Sequence, residues 1–390
     1  MSKLSVVIFG AGRIGQTIAL LLAGTGDYRV RLVDSKAESL ETLAGLSAAS
    51  RQPIDGEVVD AHDPAAVRAA CQGHWGVINA LPYSLTALVA QAAHAVGAHY
   101  FDLTEDVAST KIVSALATKN QPGALIPQCG LAPGAVSVIG GDLARRFDHL
   151  KSLHLRVGAL PRYPTNGLNY ALTWSPEGLI NEYIQPCEAV VNGHKTSVPA
   201  LAEREEFSVD GIHYEAFNTS GGLGTLADTL SGRVQSLNYR SIRYPGHRDA
   251  VRLLLQDLRL SERPDLLAEI FRHAIPSTQQ DMVILFCNAI GERDGQLQQQ
   301  TYTTTIHGAE VHGRFLTAIQ LTTASAICAV VDLLATGALP DQGLVRQEDI
   351  PLDLFLSNRF GKVYAPQDAS GALKAGASYR QAPMLADAAQ

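Results

Sequence analysis

The chain of 390 residues lacks the features that mark secreted, membrane-spanning or nucleic-acid-binding proteins. Its five cysteines (Cys71, Cys129, Cys187, Cys287 and Cys328) are odd in number, scattered and without a CxxC spacing. Disulfide staples and thiolate metal sites are therefore not expected, and reduced core thiols are. The 12 histidines are dispersed with no pair at zinc-ligand spacing, so no metal is expected either. Positive charge is not in excess: 31 Lys and Arg stand against 38 Asp and Glu, a net charge of −7, which removes the electrostatic footprint of a nucleic-acid binder. No run reaches 18 consecutive apolar residues, and the first apolar run reads as a strand rather than the core of a leader. Neither a membrane nor secretion is expected, and a cytoplasmic location is. With 18% charged and 46% hydrophobic residues the composition is that of an ordinary globular protein, long enough for two domains. No internal repeat is evident.

What is present is concentrated at the start. Leu4 to Phe9 is an apolar run leading into Gly10-Ala11-Gly12-Arg13-Ile14-Gly15, and Ile14, Ile18, Leu21 and Leu22 then recur at helical spacing. A buried strand, a G-x-G-x-x-G turn and a helix form the opening of a dinucleotide-binding βαβ unit. Gly10 permits the tight turn, Gly12 lets backbone approach a diphosphate, and Gly15 lets the helix lie close on its strand. The free N–H groups at the helix start, around Arg13 and Ile14, would face the phosphates. Tyr28 to Asp34 reads as a second strand ending in an acid, and Asp34 lies 19 residues past Gly15, where a carboxylate can accept hydrogen bonds from the adenosine ribose. A carboxylate there repels a 2′-phosphate, so NAD is expected rather than NADP. The plainer alternative is that Asp34 begins a solvated loop.

The chain then alternates as a doubly wound α/β domain should. A charged helix is expected over Ala37 to Leu46 and a third strand over Gly56 to Asp60. Asp63 with Pro64 then starts a further helix. Asp60 sits where adenine usually rests, as a contact or as a structural cap. Gly76 to Asn79 is a fourth strand whose exit, Asn79-Ala80-Leu81-Pro82, either touches the cofactor or closes its own loop. A helix over Leu85 to Val96 leads to a fifth strand, Ala98 to Asp102. Asp102 at its end and Glu105 just after it are poised over the nicotinamide position or cap the helix Val107 to Thr118. Ala124 to Pro127 completes an expected six-stranded sheet. The loop Cys129 to Gly134 is rich in backbone donors, so Leu131 is a candidate cofactor contact and Gly134 a candidate carboxylate contact; the loop could equally just turn the chain into a second domain.

From Lys151 the pattern changes to strands and hairpins. Asn192-Gly193 and Asp210-Gly211 are two-residue turns, and Asp281 to Ile290 pairs with Leu297 to His307, so an α+β domain with a mixed or antiparallel sheet is expected. Ser175 with Pro176 starts a helix. The Thr219 to Thr225 loop, with Thr219 and Gly222, offers donors for an anion. Arg240, Arg243, Tyr244 and His247 cluster around a Pro-Gly turn, where an Arg suits a substrate carboxylate because its fork matches two oxygens. A solvated strand face is the alternative. Phe315 to Leu334 reads as a buried helix that returns to the first domain or lies in a dimer interface. The tail beyond about Pro366 reads as disordered. The domains are thus expected at 1–130, 131–314 and, returning, 315–362.

These residues together resemble the saccharopine dehydrogenase family, most closely its L-lysine 6-dehydrogenase branch, over roughly residues 3 to 362. The resemblance rests on the GAGRIG start, Asn79-Ala80-Leu81-Pro82, Tyr100 to Thr104, Cys129 to Gly134, Trp174 to Ile180, Thr219 to Leu226, and Arg240 to His247. It implies a Rossmann domain joined to an α+β substrate and dimerisation domain, a homodimer or larger homo-oligomer, and NAD(P)-dependent oxidation at a carbon bearing an amine. On that expectation L-lysine binds with its carboxylate on Arg243 or the glycine loops, Asp102 or Glu105 holds the ε-amine, and His247 or Tyr244 transfers protons. Alternatives are a glutamate-forming saccharopine dehydrogenase, a polyamine-forming relative, or a dinucleotide-sensing protein without turnover. A methyltransferase fits the GAGRIG spacing less well.

Overall fold

The computed structural model describes residues 3–117 and 122–366. The tail expected to be disordered beyond Pro366 lies outside the described residues. In chain order the first part runs β1 (Leu4–Phe9), α1 (Arg13–Thr25), β2 (Tyr28–Asp34), α2 (Leu43–Ala49), β3 (Ile54–Val58), α3 (Pro64–Cys71), β4 (Gly76–Asn79), α4 (Thr86–Ala95), β5 (His99–Asp102), α5 (Val107–Leu116) and β6 (Gly123–Ile126). It continues through α6 (Ala135–Arg145), β7 (His149–Pro161), α7 (Pro176–Ile184), β8 (Cys187–Val191), β9 (His194–Val198), β10 (Glu205–Val209), β11 (Ile212–Asn218), α8 (Leu226–Leu230) and β12 (Val234–Arg243). The last stretch holds α9 (His247–Arg252), α10 (Pro264–Ala274), β13 (Asp281–Arg293), β14 (Gln296–His307), β15 (Ala309–Val311), β16 (Arg314–Leu316), α11 (Ala318–Ala335), β17 (Gln342–Leu344) and α12 (Leu352–Ser357).

Two compact units result: residues 1–138 with 307–364, and residues 139–306. In the first, a parallel sheet has the order β17-β6-β5-β4-β1-β2-β3. It has seven strands rather than six, because β17 adds to the edge at β6, pairing Gln342 with Gly123 and Leu344 with Leu125. The inner strands are largely apolar because helices cover both faces, and Val6, Val7, Ile8 and Ile78 are fully buried, whereas β2 and β3 toward the edge carry exposed Arg29, Asp55 and Glu57. The expected helix over Ala37 to Leu46 is instead a 3-10 turn at Ala37–Leu40 followed by α2, and β3 starts and ends two residues earlier than the valine pair suggests. α1 stops where Gly26 takes a left-handed conformation (φ 88) and its N–H returns to the Ala23 carbonyl. Asp63 caps α3 through the Ala65 amide, with Pro64 at the first position.

α11 closes the first unit. It starts at a capping box in which Thr317 and Gln320 satisfy each other's backbone. Phe315, expected inside it, lies in the small β15–β16 hairpin. By length and composition α11 is the one helix among the described residues that could cross a membrane, yet 83% of it is buried in the protein, where it packs along α1. A polar clip fixes it there: Asp332, 5% exposed, accepts from the Tyr28 hydroxyl at 2.8 Å, from Asn358 Nδ2 at 2.8 Å and from Arg359 Nη2 at 2.6 Å. Burial first, then the Asp332 charge, raises the Tyr28 pKa far above the ordinary phenol value.

In the second unit β10-β11-β12-β7-β13-β14 form one mixed sheet, with β8 attached to β12 and β9 to β8. β7 and β12 run parallel, while β13 runs antiparallel to β7. Asn192-Gly193 and Asp210-Gly211 make the expected two-residue turns with all four residues at positive φ. Ser175 caps α7 through the Gly178 amide, with Pro176 first in the helix. One core cluster joins α7, α9 and α10 through Leu179, Tyr183, Phe217, Val251 and Phe271; another covers Leu160, Tyr214, Ile242 and Ile284.

Replacing Asp332 by Ala leaves a buried hydroxyl and amide without their acceptor, each worth about 1–3 kcal/mol. Urea unfolding should therefore show a loss of at least about 2 kcal/mol with an unchanged slope, whereas Tyr28→Phe should lose about 1 kcal/mol. Equal stability of D332A and wild type would remove the clip from the account of why α11 stays docked.

Candidate dinucleotide and substrate sites

Each glycine of the first loop meets a different physical demand. Gly10 has φ +101, and a Cβ there would lie 2.8 Å from the Ala80 carbonyl oxygen. At Gly15 a Cβ would stand 1.8 Å from the Gly10 carbonyl oxygen, so only hydrogen lets α1 lie this close to β1. Gly12 differs: its φ is an ordinary −71 and a Cβ would meet nothing within 4 Å. The protein itself makes no demand for glycine at position 12, and a ligand occupying the adjoining space would. Gly12 is also the cap position of α1, and no side chain hydrogen-bonds the amides of that first turn, which includes Arg13 and Ile14. A helix start without a side-chain cap, beside a bare backbone, fits a diphosphate.

Asp34 stands at the end of β2, half-exposed, with Oδ2 accepting from the Ala11 amide at 2.8 Å and Oδ1 from the Lys36 amide at 3.0 Å. Its carboxylate therefore borders the glycine loop, as ribose binding requires. Ala80 follows β4, its amide donating to the Phe9 carbonyl at 2.8 Å. Asn79 is buried and committed to the protein: Oδ1 accepts from the Leu81 amide at 3.1 Å, and Nδ2 lies 3.3 Å from the Tyr100 hydroxyl. Of its two sequence readings the structure takes loop closure, leaving half-buried Leu81 on the exit loop. Asp60 is exposed and turns back on His62, accepting from its amide at 2.9 Å. That backbone bond, then the imidazole, lowers its pKa.

At the end of β5, Asp102 is 0% exposed. Oδ1 accepts from the amides of Thr104 (3.1 Å) and Gln128 (2.8 Å), and the Asp102 carbonyl accepts from the Cys129 amide at 2.8 Å. Oδ2 is buried and accepts from no amide, the Tyr100 hydroxyl being the side-chain donor that acts on this carboxyl. Burial raises its pKa from 3.8 to about 6, against the pull of the two amides and of the Tyr100 hydroxyl. Glu105 is half-buried and its pKa is raised too, by burial first and then by Asp106 and Asp102. Neither acid caps α5. Asp106 does, through the Ser109 amide at 2.7 Å. The loop that follows is held by a residue missed at the sequence level: Gln347 Nε2 donates to the Pro127 carbonyl at 2.9 Å and to Cys129 Sγ at 3.2 Å. Within it Leu131 is buried and Gly134 has φ +134, where a Cβ would sit 1.9 Å from the Gly130 carbonyl oxygen. Gly134 is thus required by the loop's own packing.

In the second unit, four of the expected residues part company. Arg240 is tied to Glu203 at 2.7 Å and to Glu205 at 3.0 Å, which makes it part of an ion-pair ladder with Arg156 rather than a waiting cation. Tyr244 is half-buried, its hydroxyl donating to the Pro161 carbonyl at 2.9 Å, and burial raises its pKa. Thr219 is buried with Oγ1 2.8 Å from Ser241 Oγ, and a Cβ on Gly222 would strike the Tyr239 ring at 2.2 Å. Loop amides also go to protein carbonyls, that of Ser220 to Glu182 and that of Gly224 to Gly221. The glycines of this loop serve packing and turn geometry, contrary to the reading as an anion cradle.

Arg243 and His247 do come together, through Tyr183, which the sequence did not single out. Arg243 is 4% exposed. Its Nε donates to the Tyr183 hydroxyl at 2.9 Å and Nη1 to the Ile242 carbonyl at 2.8 Å, with the guanidinium carbon 5.1 Å from the Tyr170 ring centre. His247 Nδ1 is 2.7 Å from the Leu168 carbonyl, an acceptor only, so that nitrogen carries the proton. Nε2 then accepts from the Tyr183 hydroxyl at 3.0 Å. Burial, then the Arg243 charge, lowers the His247 pKa to about 3. His247 is therefore a neutral acceptor at physiological pH, and both nitrogens are engaged. Expected as a proton-transfer group, it acts in this structure as a brace. The nearby Tyr170 hydroxyl is buried, which raises its pKa against the pull of Arg243 and of Thr173.

Two family models match the chain: the saccharopine dehydrogenase NADP binding domain over residues 6–126, and the saccharopine dehydrogenase C-terminal domain over residues 130–358. The chain belongs to the saccharopine dehydrogenase family. Among solved structures it is similar to saccharopine dehydrogenase (L-Glu forming) from Saccharomyces cerevisiae, at 15% identity and a TM-score of 0.72, covering 90% of this chain and 97% of that one. It is also similar to the homospermidine synthase of Legionella pneumophila solved in complex with NAD, at 14% identity and a TM-score of 0.64, covering 94% of this chain and 90% of that one. At these identities the likeness shows the fold. Membership of the saccharopine dehydrogenase family supports an NAD(P)-dependent oxidoreductase of amino-acid-related substrates, with the nicotinamide dinucleotide held by the first unit. Among the described residues no three His, Cys, Asp or Glu side chains converge as a metal site, and all five cysteines are free and buried.

Two outcomes follow from this geometry. Gly12→Ala should leave the melting temperature within a few degrees of wild type and weaken dinucleotide binding at least about tenfold, while Gly15→Ala should destabilise by about 1–3 kcal/mol through overpacking. Fluorescence titration with NADH and thermal melts read the two effects, and matching behaviour of both variants would refute the division of labour. For Asp102 the folded pKa (about 6) exceeds the unfolded value of 3.8. The stability it contributes is present below about pH 3.8 and lost as pH rises through about 6, a change of about 3 kcal/mol. The Asp102→Asn variant lacks that titration, so its stability relative to wild type should climb between pH 4 and pH 7, and parallel pH profiles would contradict the assignment.

Proposed function

We propose that the chain is an NAD-dependent dehydrogenase acting on the terminal amine of an amino acid, with L-lysine as substrate and 2-aminoadipate 6-semialdehyde, ammonia and NADH as products. The observation that carries the cofactor choice is the Asp34 carboxylate 2.8 Å from the glycine-loop amide of Ala11. A ribose with free hydroxyls can donate to that carboxylate, and a 2′-phosphate is repelled by it. Bound NAD would accept the hydride. The substrate amine must be neutral for hydride to leave its carbon, since an ammonium nitrogen has no lone pair to form the C=N bond. Asp102, with a pKa near 6 and one oxygen not held by any amide, is the proposed base in the first unit. In the second unit Arg243 is the proposed holder of the carboxylate: its Nε and Nη1 bonds go to neutral oxygens, and Glu182 is the acid whose charge acts on it. Loss of hydride and a proton gives an imine, and water adds to release ammonia and the aldehyde.

Saccharopine, the alternative substrate, carries three carboxylates and so needs further cations in the second unit. There Arg156 and Arg240 are paired with Glu205, and Lys195 with Glu188 and Asp228, while Arg162 and Arg233 form no ion pair among the described residues.

Absorbance at 340 nm with lysine, ornithine, saccharopine and putrescine, each with NAD and NADP, tests the proposal. Lysine with NAD should give the highest kcat/KM, at least about tenfold above NADP, and Asp34→Asn should narrow that gap because the repelling charge is gone. Preference for saccharopine would overturn the substrate, equal use of both cofactors the role of Asp34, and dinucleotide binding without turnover on the panel would favour a sensor.

A further inference from the structure

Glu215, on β11, lies directly across from Arg243, on β12, in the antiparallel register, and it is 0% exposed. Opposite charges placed face to face in a dry interior are expected to join. These do not. Glu215 Oε1 accepts from the Arg248 amide at 2.7 Å and Oε2 from the Gly246 amide at 3.2 Å, so the carboxylate grips the first turn of α9. Arg204 stands 3.7 Å from Oε2 and is shared with Glu206 and Asp249. The start of α9 needs such a grip: Gly246 has φ 91, and no side chain of its own segment caps the helix.

The residue between the two gripped amides is His247. Its ring can reach the Leu168 carbonyl and the Tyr183 hydroxyl only if the backbone around it is fixed, and the resulting hydrogen bonds run one way: Arg243 Nε–H to Tyr183 oxygen, Tyr183 O–H to His247 Nε2, His247 Nδ1–H to Leu168 carbonyl. Should His247 turn, Tyr183 loses its acceptor and Arg243 its brace.

We propose that Glu215 is a positioning residue for the substrate carboxylate: by holding the amides of Gly246 and Arg248 it fixes the orientation and tautomer of His247, and through Tyr183 it sets the aim of Arg243. This rests on the reading of Arg243 as the carboxylate's partner. The choice of amides over guanidinium also leaves Arg243 to its two neutral acceptors and to the charge of Glu182.

The test uses the full chain carrying Glu215→Gln and, separately, Glu215→Asp. Gln presents an NH2 group to one of the two amides, while Asp keeps the charge on a shorter arm. With histidine-labelled protein, ¹⁵N NMR of wild type should show one neutral ring protonated on Nδ1 that disappears in His247→Gln. In E215Q that signal should shift toward the other tautomer. KM for L-lysine should rise about tenfold, the equivalent of one hydrogen bond to a charged group, with KM for NAD unchanged. E215D should fall between the two, and it carries both readouts if E215Q does not fold. An unaltered His247 signal in a folded variant overturns the proposal, and so does an equal rise in both KM values, which marks general loosening. Wild type inactive on lysine would defeat the proposed reaction alone, because the NMR readout decides Glu215 without turnover.

Discussion

The contact between α1 and β1 is the constraint on which the first unit depends. With a Cβ at Gly15 only 1.8 Å from the Gly10 carbonyl oxygen, the helix can lie at this distance from the strand only if that position has no side chain. The closeness brings the amides of the first helical turn up to the carboxyl edge of the sheet, where β1, β2, β4 and β5 deliver Gly10, Asp34, Asn79 and Asp102 side by side. A phosphate-binding edge in this architecture is a consequence of packing: the same absence of side chains that lets helix and sheet approach leaves donors without partners.

The second unit solves a different problem, how to keep a guanidinium inside a core. Burying a cation is expensive unless its hydrogen bonds are made. Arg243 meets that demand with a phenol and a carbonyl as hydrogen-bond acceptors and with the faces of Tyr170 and Tyr183. His247 is drawn into the same arrangement. Dry surroundings and the neighbouring cation keep it neutral, which suits an acceptor of the Tyr183 proton and disqualifies it as an acid near neutral pH. Burial selects the charge state of each member, and the selected states interlock.

Local chemistry made much of this legible from the sequence. The glycine spacing, the Asp63-Pro64 and Ser175-Pro176 helix starts, and the Asn192-Gly193 and Asp210-Gly211 turns are short-range signals, and each element forms where its residues place it. What stayed hidden depends on partners far along the chain. β17 is three residues long with Gly343 at φ +76, and no propensity marks it; it becomes a strand because β6 offers an open edge. Arg240 looked as free as Arg243 until Glu203 and Glu205 were seen to reach it. Tyr183, Gln347 and Asp106 carry no motif, and their importance lies in what stands opposite them.

The acids show most clearly why residue type alone is a weak guide to role. Asp34 accepts from the amides of Ala11 and Lys36, Asp102 from those of Thr104 and Gln128, and Glu215 from those of Gly246 and Arg248. In each case at least one amide comes from a segment more than twenty residues away, so the carboxylate ties two stretches of chain at the rim of a site. A carboxylate suits this task because it has several lone pairs to offer amides that a turn or helix start leaves unmatched, and such charge-assisted bonds are stronger than neutral ones. The two functions need not compete. An oxygen that grips an amide still presents lone pairs beside it, which is how Asp34 can border a ribose while holding the loop. Where one oxygen does all the gripping, as in Asp102, the other is left in a dry site with a raised pKa. Structural clip and candidate base are then the same carboxyl group seen from its two oxygens.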